Sequence, residues 1–205
     1  MTIETLVYLH GFLSSPASPK AQAFARAARS RGMRCRIPNL NFASMEDFPD
    51  ALWREVADLK EGTWALVGSS LGGFYAALMA ARVPVRTILV NPAVCPWRHA
   101  APYLGRTVRA ADGSDVGVTA AWLEKLRELA PCGLAAPRDV LVMLTTGDEV
   151  LDGREALRAF PGSPAYVVSG SDHAVSDIAR YIDALFLFLT QGVVPASTAR
   201  LAETS

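Results

Sequence analysis

One serine in this sequence stands between two glycines in a pattern that could do chemistry. Ser70 is the centre of Gly-x-Ser-x-Gly, with Gly68 and Gly72 on either side. A short apolar run, 64–67, comes before the pattern, and a run rich in Ala, Leu and Met, 71–82, comes after it. This order predicts a sharp turn from a buried strand into a buried helix. Because the helix N-terminus favours a developing negative charge, the pattern indicates nucleophilic attack by the serine hydroxyl.

A serine hydroxyl is a weak nucleophile unless a base removes its proton. The sequence has three histidines. His10 directly follows the first apolar run and His99 precedes the candidate acid, which leaves His173 as the candidate base. Asp148 closely follows the apolar run 140–144, where a rigid strand could aim its carboxylate at the base. The predicted catalytic residues are Ser70, Asp148 and His173.

Asp152 is the competing candidate for the acid. It is followed by Gly153 and, three positions on, by Glu155, a sequence close to a capping box at the start of a helix. A carboxylate that caps a helix is already bonded to backbone amides. We therefore assign Asp152 to structure and Asp148 to catalysis.

The oxyanion that forms when a serine attacks a carbonyl needs hydrogen-bond donors. The run 6–9 predicts a strand, and it ends in His10-Gly11. This pair predicts a loop whose next amide, that of Phe12, points at the oxyanion site, as after the first long strand of α/β-hydrolases. The second donor is predicted to be the amide of Leu71, directly after the nucleophile.

These residues also allow other interpretations. The pentapeptide could be a glycine-rich turn without any chemistry. Ser69 is excluded as the nucleophile because Val67 stands where its first glycine would be needed. A metal site would leave Ser70 unexplained, so we predict neither a metal nor a cofactor. The ligands of such a site would be Asp148, Asp152, Asp172 and His173.

Apolar runs typical of strands alternate along the chain with helical patterns. This alternation predicts an α/β fold with a mainly parallel sheet and helices on both faces. In such sheets the reactive loops gather at the carboxyl ends of the strands, so one edge could carry positions 12, 70, 148 and 173. The predicted strands are 6–9, 33–37, 64–68, 86–90, 140–144 and 165–168, and the main predicted helices are 19–31, 47–60, 71–82 and 176–189.

The periodicity lapses from about residue 94 to residue 131. This segment ends in a helix that Thr119 can cap, and it predicts a small lid within a single α/β-hydrolase domain, 1–192. An ordinary long crossover is the alternative. Residues 193–205, rich in Pro, Ala, Ser and Thr, are expected to form a disordered tail. The residues predicted to contact the substrate are Leu13, Trp97, Tyr103 and Trp122.

The composition limits the classes of function. The chain has 205 residues, enough for one domain, and its formal net charge is zero. A neutral chain gives no electrostatic case for binding nucleic acid or an anionic membrane. Three scattered cysteines indicate neither a disulfide framework nor a zinc knuckle. Without a signal-peptide pattern or a long apolar run, we expect a soluble cytoplasmic protein that acts on a small-molecule acyl ester or thioester. Its oligomeric state stays open.

Several longer motifs resemble those of the bacterial YqiA/YcfP-type esterases. The string Gly-Ser-Ser-Leu-Gly-Gly-Phe-Tyr-Ala, residues 68–76, is far more specific than the pentapeptide it contains. The resemblance implies a compact α/β-hydrolase that acts on carboxylic esters or thioesters without a cofactor, with the elbow serine, the acid and the late histidine as its triad. One departure is Ser171, where a second glycine is expected. The other motifs are Tyr8-Leu9-His10-Gly11-Phe12, Ser14-Ser15-Pro16, Val90-Asn91-Pro92-Ala93 and Thr146-Gly147-Asp148-Glu149-Val150-Leu151-Asp152.

The sequence thus predicts a serine hydrolase of small carboxylic esters or thioesters that works through an acyl-enzyme. A binding protein that keeps the triad residues to seat a ligand is one alternative. An acyltransferase is another, because exclusion of water rather than the identity of the triad decides which acceptor takes the acyl group.

Overall fold

The computed structural model describes residues 2–42 and 45–201. Its strands and helices alternate along the chain as the sequence predicts. The strands are β1 (Thr5–Leu9), β2 (Arg34–Arg36), β3 (Trp64–Ser69), β4 (Arg86–Val90), β5 (Thr107–Arg109), β6 (Asp115–Gly117), β7 (Val140–Thr145) and β8 (Ala165–Val168). The helices are α1 (Pro19–Ser30), α2 (Phe48–Arg54), α3 (Leu71–Ala80), α4 (Pro96–Ala100), α5 (Ala120–Glu128), α6 (Gly153–Ala159) and α7 (Ile182–Gln191).

Six of the described strands form one sheet in the order β2-β1-β3-β4-β7-β8. Every neighbouring pair is parallel, so the carboxyl ends of the strands meet at one edge. The register places Leu9 beside Gly68, and Ser69 beside Val90. The parallel sheet confirms the predicted fold class, and it brings the loops that follow β1, β3 and β4 close together.

Helices cover both faces of the sheet, as predicted. On one face lie α1 and α7, with the rings of Phe24 and Phe186 stacked at 6.2 Å between their centroids. On the other face lie α2, α3, α5 and α6, and every residue of α3 is buried. A helix buried on all sides has no solvent face, which is why α3 carries no charged residue. None of the helices within residues 2–42 and 45–201 has the length and apolar character that crossing a membrane requires.

The segment predicted to form a lid, 94–131, contains more regular structure than its sequence indicated. Helices α4 and α5 flank an antiparallel hairpin made of β5 and β6. The hairpin turns at Gly113, whose φ is 85°. Helix α5 begins where predicted, because the Thr119 hydroxyl accepts a hydrogen bond from the N–H of Trp122 at 3.1 Å.

Hydrogen bonds fasten the hairpin of this segment to the rest of the domain. The N–H of Ala111 donates to the carbonyl of Leu13 at 2.9 Å. The side-chain amide of Asn39 donates to the carboxylate of Asp112 at 2.6 Å. The inserted segment is therefore docked on the loops that follow β1 and β2.

The helix predicted over 47–60 is shorter than expected and ends at Arg54. The carbonyl of Glu55, which a longer helix would use internally, accepts a hydrogen bond from the Arg36 side chain at 2.8 Å. The same guanidinium binds both carboxylate oxygens of Asp58 at 2.6 Å. A contact with β2 thus ends α2 early.

The helix predicted over 176–189 is also shorter, and begins at Ile182. Before it, Ile178–Arg180 form a short 3₁₀ helix, and Ser176 donates to a side-chain carboxylate instead of a helical carbonyl. The carboxylate of Asp172 accepts the backbone N–H of Ser176 at 2.8 Å and its hydroxyl at 2.5 Å. These bonds shape the loop after β8 as a tight turn rather than as the start of a helix.

The tail beyond residue 192 differs from the expected disordered segment in its described part. The backbone N–H groups of Thr198 and Ala199 donate to the carbonyl of Val167 at 2.9 and 3.2 Å. The hydroxyl of Ser197 accepts the N–H of Val167 at 2.9 Å. Because β8 is an edge strand with unpaired backbone groups, it offers the tail these partners. Residues 202–205 lie outside the described residues.

Removing two tail hydroxyls should destabilise the edge of β8. In the double variant Ser197→Ala/Thr198→Val, the N–H groups of Val167 and Ser169 lose their acceptors. We expect the free energy of unfolding, measured with urea, to fall by about 1–2 kcal/mol. Arg200→Ala, at an exposed residue of the same tail, is the control and should match the wild type. Equal stability of the double variant and the control would contradict a docked tail.

Candidate active site

Ser70 stands in a strained turn between β3 and α3. Its φ of 55° and ψ of −119° lie outside the regions that residues with side chains ordinarily adopt. The neighbouring segment holds this conformation, because the N–H of Ser70 donates to the carbonyl of Val90 at 3.1 Å and the N–H of Ala93 donates to the carbonyl of Ser70 at 3.0 Å. The half-buried serine is thus fixed at the carboxyl edge of the sheet.

Two glycines allow this turn to lie directly against its neighbours. A Cβ atom at Gly68 would lie 2.2 Å from the carbonyl oxygen of Gly72, and a Cβ atom at Gly72 would lie 2.0 Å from the carbonyl oxygen of Leu9. No side chain fits at either position. The loop after β1 is also near the serine, since a Cβ atom at Gly11 would lie 3.2 Å from the Cβ atom of Ser70.

His173 and Asp148 form a hydrogen-bonded pair. Nδ1 of His173 lies 2.9 and 3.0 Å from the two carboxylate oxygens of Asp148. Oδ1 of Asp148 also accepts the backbone N–H groups of Val150 and Leu151, each at 2.8 Å. Burial raises the pKa of the Asp148 carboxyl, but these hydrogen bonds outweigh burial and the net pKa is lowered. An ionised Asp148 keeps the proton on Nδ1, which leaves Nε2 of the imidazole as the acceptor.

Asp152 is placed differently from Asp148. It is the N-cap of α6, where its carboxylate accepts the N–H of Arg154 at 2.9 Å. The same carboxylate binds Nε of the Arg154 side chain at 2.8 Å. Both oxygens are therefore engaged by the helix that follows, as its position in the sequence predicted.

The structure pairs the acid with the base but does not bond the base to the nucleophile. Within residues 2–42 and 45–201, the Ser70 hydroxyl makes no hydrogen bond to His173. The three side chains nevertheless follow β3, β7 and β8 at the same edge of the sheet. Bonds between nucleophile and base are often long before substrate binds, so this geometry is compatible with His173 as the base.

The two amides predicted to bind an oxyanion are free. In the described part of the chain, neither the N–H of Phe12 nor that of Leu71 donates a hydrogen bond. Leu71 is the first residue of α3, where backbone N–H groups point out of the helix. Phe12 belongs to a tight turn in which the next residue, Leu13, has a φ of 57°. Both amides are therefore available at the edge that carries Ser70.

His10 holds the loop after β1 in place. The ring is buried, its Nε2 accepts the N–H of Leu40 at 3.0 Å, and its Nδ1 donates to the carbonyl of Gly11 at 2.9 Å. Burial lowers the pKa of His10, which favours this neutral form. The contribution of His10 is therefore to fix the loop that contains the amide of Phe12.

The aromatic residues predicted to contact substrate belong to two environments. The ring of Phe12 packs against Tyr103 and Trp122, with centroids 5.9 and 5.6 Å apart. Trp122 is fully buried, so in this conformation it packs the lid instead of facing a substrate. Trp97 is half-buried, and the guanidinium of Arg127 lies 5.9 Å from its ring centroid. Leu13 is half-buried beside the same core.

Three polar residues around His173 were assigned no role from the sequence. The amine of Lys20 donates to the hydroxyl of Ser69 at 2.7 Å and to the carbonyl of His173 at 3.4 Å. The side-chain amide of Asn91 donates to the same carbonyl at 3.3 Å. The carboxylate of Glu149 accepts the N–H of His173 at 2.9 Å. Asn91 and Glu149 did have a signal, since both lie in motifs that carry the family resemblance, whereas Lys20 had none.

The described residues contain no cluster of side chains that could bind a metal ion. No group of three His, Cys, Asp or Glu side chains within 2–42 and 45–201 is arranged to hold a metal ion. Of the ligands considered from the sequence, Asp148 is bonded to His173, Asp152 caps α6 and Asp172 caps the turn at Ser176.

Comparison with known proteins gives a family and a fold. A family model described as the uncharacterised protein family UPF0227 matches residues 5–190. Among solved structures, the esterase domain of a Rhodothermus marinus protein is similar with a TM-score of 0.67 and 18% identity, over 90% of this chain and 85% of that one. Est1E from Butyrivibrio proteoclasticus has a TM-score of 0.65 and 15% identity, over 92% of this chain and 87% of the other.

A third similar structure is a pyrethroid hydrolase from Sphingobium faniae JZ-2. Its TM-score is 0.60 at 21% identity, and the match covers 92% of this chain and 98% of that chain. At such identities the likeness shows the fold alone. The chain therefore has the α/β-hydrolase fold.

Replacing Gly11 or Gly72 with alanine should have different effects, one on the reactivity of Ser70 and the other on folding. Gly11→Ala places a methyl group 3.7 Å from Oγ of Ser70, so we expect a folded protein whose serine reacts with a fluorophosphonate at least about tenfold more slowly. Gly72→Ala forces a methyl group onto the backbone of β1 and should unfold the protein or strongly lower its Tm. Gly133→Ala, with no atom within 4 Å of the new Cβ, is the control. Wild-type labelling by Gly11→Ala would contradict the placement of this loop.

Proposed function

This chain belongs to the uncharacterised protein family UPF0227, and we propose that it is a serine hydrolase that cleaves small carboxylic esters or thioesters. The observation that carries the proposal is the strained turn at Ser70, which lies at the same edge of one sheet as the hydrogen-bonded pair of Asp148 and His173. Backbone strain of this kind costs free energy and clusters at reactive sites, so it supports a chemical role for Ser70.

The first half of the proposed reaction forms an acyl-enzyme. Nε2 of His173 takes the proton of Ser70 as Oγ bonds to the carbonyl carbon of the substrate. The negative charge on the former carbonyl oxygen is received by the N–H groups of Phe12 and Leu71. One such donor lowers a barrier by about 3–4 kcal/mol. Collapse of the tetrahedral species breaks the bond to the alcohol or thiol, which takes the proton from the imidazolium.

The second half returns the enzyme to its starting state. Water loses a proton to Nε2 of His173 and attacks the acyl carbon, and the resulting oxyanion uses the same two amides. The carboxylic acid leaves as the proton returns to Oγ of Ser70. Throughout, the ionised carboxylate of Asp148 stabilises the imidazolium and keeps the proton on Nδ1 in the resting state.

Labelling with a fluorophosphonate tests the role of Ser70. We expect a covalent adduct on this residue, located by mass spectrometry of the peptides, because the turn and the base together activate its hydroxyl. Ser70→Ala should abolish the adduct, whereas Ser69→Ala should retain it on Ser70. A folded wild-type protein that is not labelled and hydrolyses no activated ester would favour a ligand-binding protein.

Substitution of the two aspartates tests the assignment of the acid. Asp148→Asn should leave the fold nearly intact and lower kcat by roughly 10⁴-fold, because the imidazole would adopt the wrong tautomer. Asp152→Ala should lower the free energy of unfolding by about 0.5–2 kcal/mol with little effect on kcat, since it removes a helix cap. Ester hydrolysis and urea denaturation of both variants decide between them. A loss of turnover in Asp152→Ala alone would reverse the assignment.

A further inference from the structure

A buried polar cluster lies beneath the loop that carries His173. Lys20, near the start of α1, donates to the hydroxyl of Ser69 at 2.7 Å and to the carbonyl of His173 at 3.4 Å. Ser69 is the residue before the nucleophile and is itself buried. One cation therefore contacts both Ser69, the last residue of β3, and the backbone of the base.

Asn91 and Thr145 complete this cluster from the neighbouring strands. The amide of Asn91 donates to Oγ1 of Thr145 at 3.0 Å and to the carbonyls of Asp172 and His173 at 3.4 and 3.3 Å. The hydroxyl of Thr145 donates to the carbonyl of Asp172 at 3.2 Å. Asn91 holds a φ of 41° in order to make these bonds. The two carbonyls thus take donors from three separate elements.

The opposite side of the His173 peptide is held by a carboxylate. The exposed side chain of Glu149 accepts the N–H of His173 at 2.9 Å. The backbone of the base is consequently fixed between a half-buried cation and an exposed anion. The proposed mechanism uses neither of these charges.

We propose that Lys20 is a positioning residue for His173, which fixes the loop of the base and by its charge sets the pH above which the base is free to accept a proton. This inference deepens the proposed function and rests on it for the kinetic part of its test. It assigns to Lys20 no contact with the substrate.

The charges around Lys20 decide the direction of its effect. Burial lowers the pKa of Lys20 to about 8, while the carboxylates of Asp172 and Asp148 act in the opposite direction. The amine is therefore still charged at neutral and acidic pH. The other titratable groups at the cluster are Tyr8, which burial keeps neutral by raising its pKa, and the pair of His173 and Glu149.

A cation at this place opposes protonation of the imidazole, whereas Asp148 and Glu149 favour it. Removing the charge of Lys20 should therefore raise the pH at which the His173 ring gains its proton. Removing the charge of Glu149 should lower it, and by less, because Glu149 is exposed to solvent. A purely structural lysine would give no such pair of opposite shifts.

The test compares three variants of Lys20 with a matched lysine control. Lys20→Met removes the charge and the hydrogen bonds, Lys20→Gln removes the charge but can still donate, and Lys20→Arg keeps the charge. Lys60→Met, an exposed lysine at the far edge of the sheet, is the control. Each protein is titrated by NMR at the His173 ring and assayed for kcat/KM against pH with an activated ester.

We expect the midpoint of the ring titration, and of the acid limb of kcat/KM, to rise by roughly half a pH unit or more in both uncharged variants. It should stay in place in Lys20→Arg and in the Lys60→Met control, and fall slightly in Glu149→Gln. Loss of the loop contact in Lys20→Met should also lower kcat by roughly 10- to 100-fold with little change in KM.

Unchanged midpoints in folded Lys20→Met and Lys20→Gln would overturn the proposal. It is equally overturned if neither uncharged variant folds, because Lys20 would then serve the fold and not the base. The NMR titration needs no turnover. If the ring titration shifts but Ser70 is not labelled, the proposed hydrolase is refuted and the role of Lys20 stands. If Ser70 is labelled but the ring titration does not shift, the role of Lys20 is refuted and the proposed hydrolase stands.

Discussion

The close contact between the turn after β3 and the end of β1 is the constraint on which the candidate site depends. A Cβ atom at Gly72 would lie 2.0 Å from the carbonyl oxygen of Leu9. Because this position has no side chain, the turn lies directly on the neighbouring strand, and the loop after β1 reaches the nucleophile. A wider turn would separate the amide of Phe12 from Ser70, so the two amides proposed to bind the oxyanion could no longer reach one atom.

The carboxyl edge of the sheet is polar, although the sheet itself is buried. Buried polar groups need partners: Asn91 and Thr145 bond to each other and to the loop after β8, and the hydroxyl of Ser69 accepts a hydrogen bond from Lys20. That loop contains Ser171, whose φ of 59° explains why a glycine is expected there. The serine hydroxyl donates to Asp177 at 2.5 Å, a bond that glycine could not make. Hydrogen bonds, more than apolar packing, therefore fix the base.

Much of the fold could be predicted, because parallel strands buried on both faces appear as unbroken apolar runs. The family match confirms the resemblance to YqiA/YcfP-type esterases. The elements that differ from prediction are determined by contacts with residues distant in the sequence. Helix α2 ends early because the Arg36 side chain donates a hydrogen bond to the carbonyl of Glu55. The tail binds to unpaired backbone groups of Val167. The hairpin of the lid did have a local signal, since Asp112-Gly113 is typical of a tight turn.

The candidate site likewise contains residues that a local sequence pattern could identify and residues that only the fold brings together. Asp148 could be distinguished from Asp152 because a helix cap has a local pattern. Lys20 had no local signal, since it lies 153 positions from His173 and meets it only because the sheet brings the start of α1 under the loop after β8. A cation buried without partners costs several kcal/mol. Ser69 and the carbonyl of His173 accept hydrogen bonds from this one, and the carboxylates of Asp172 and Asp148 favour its charge, so the positions of the lysine and of the base depend on each other.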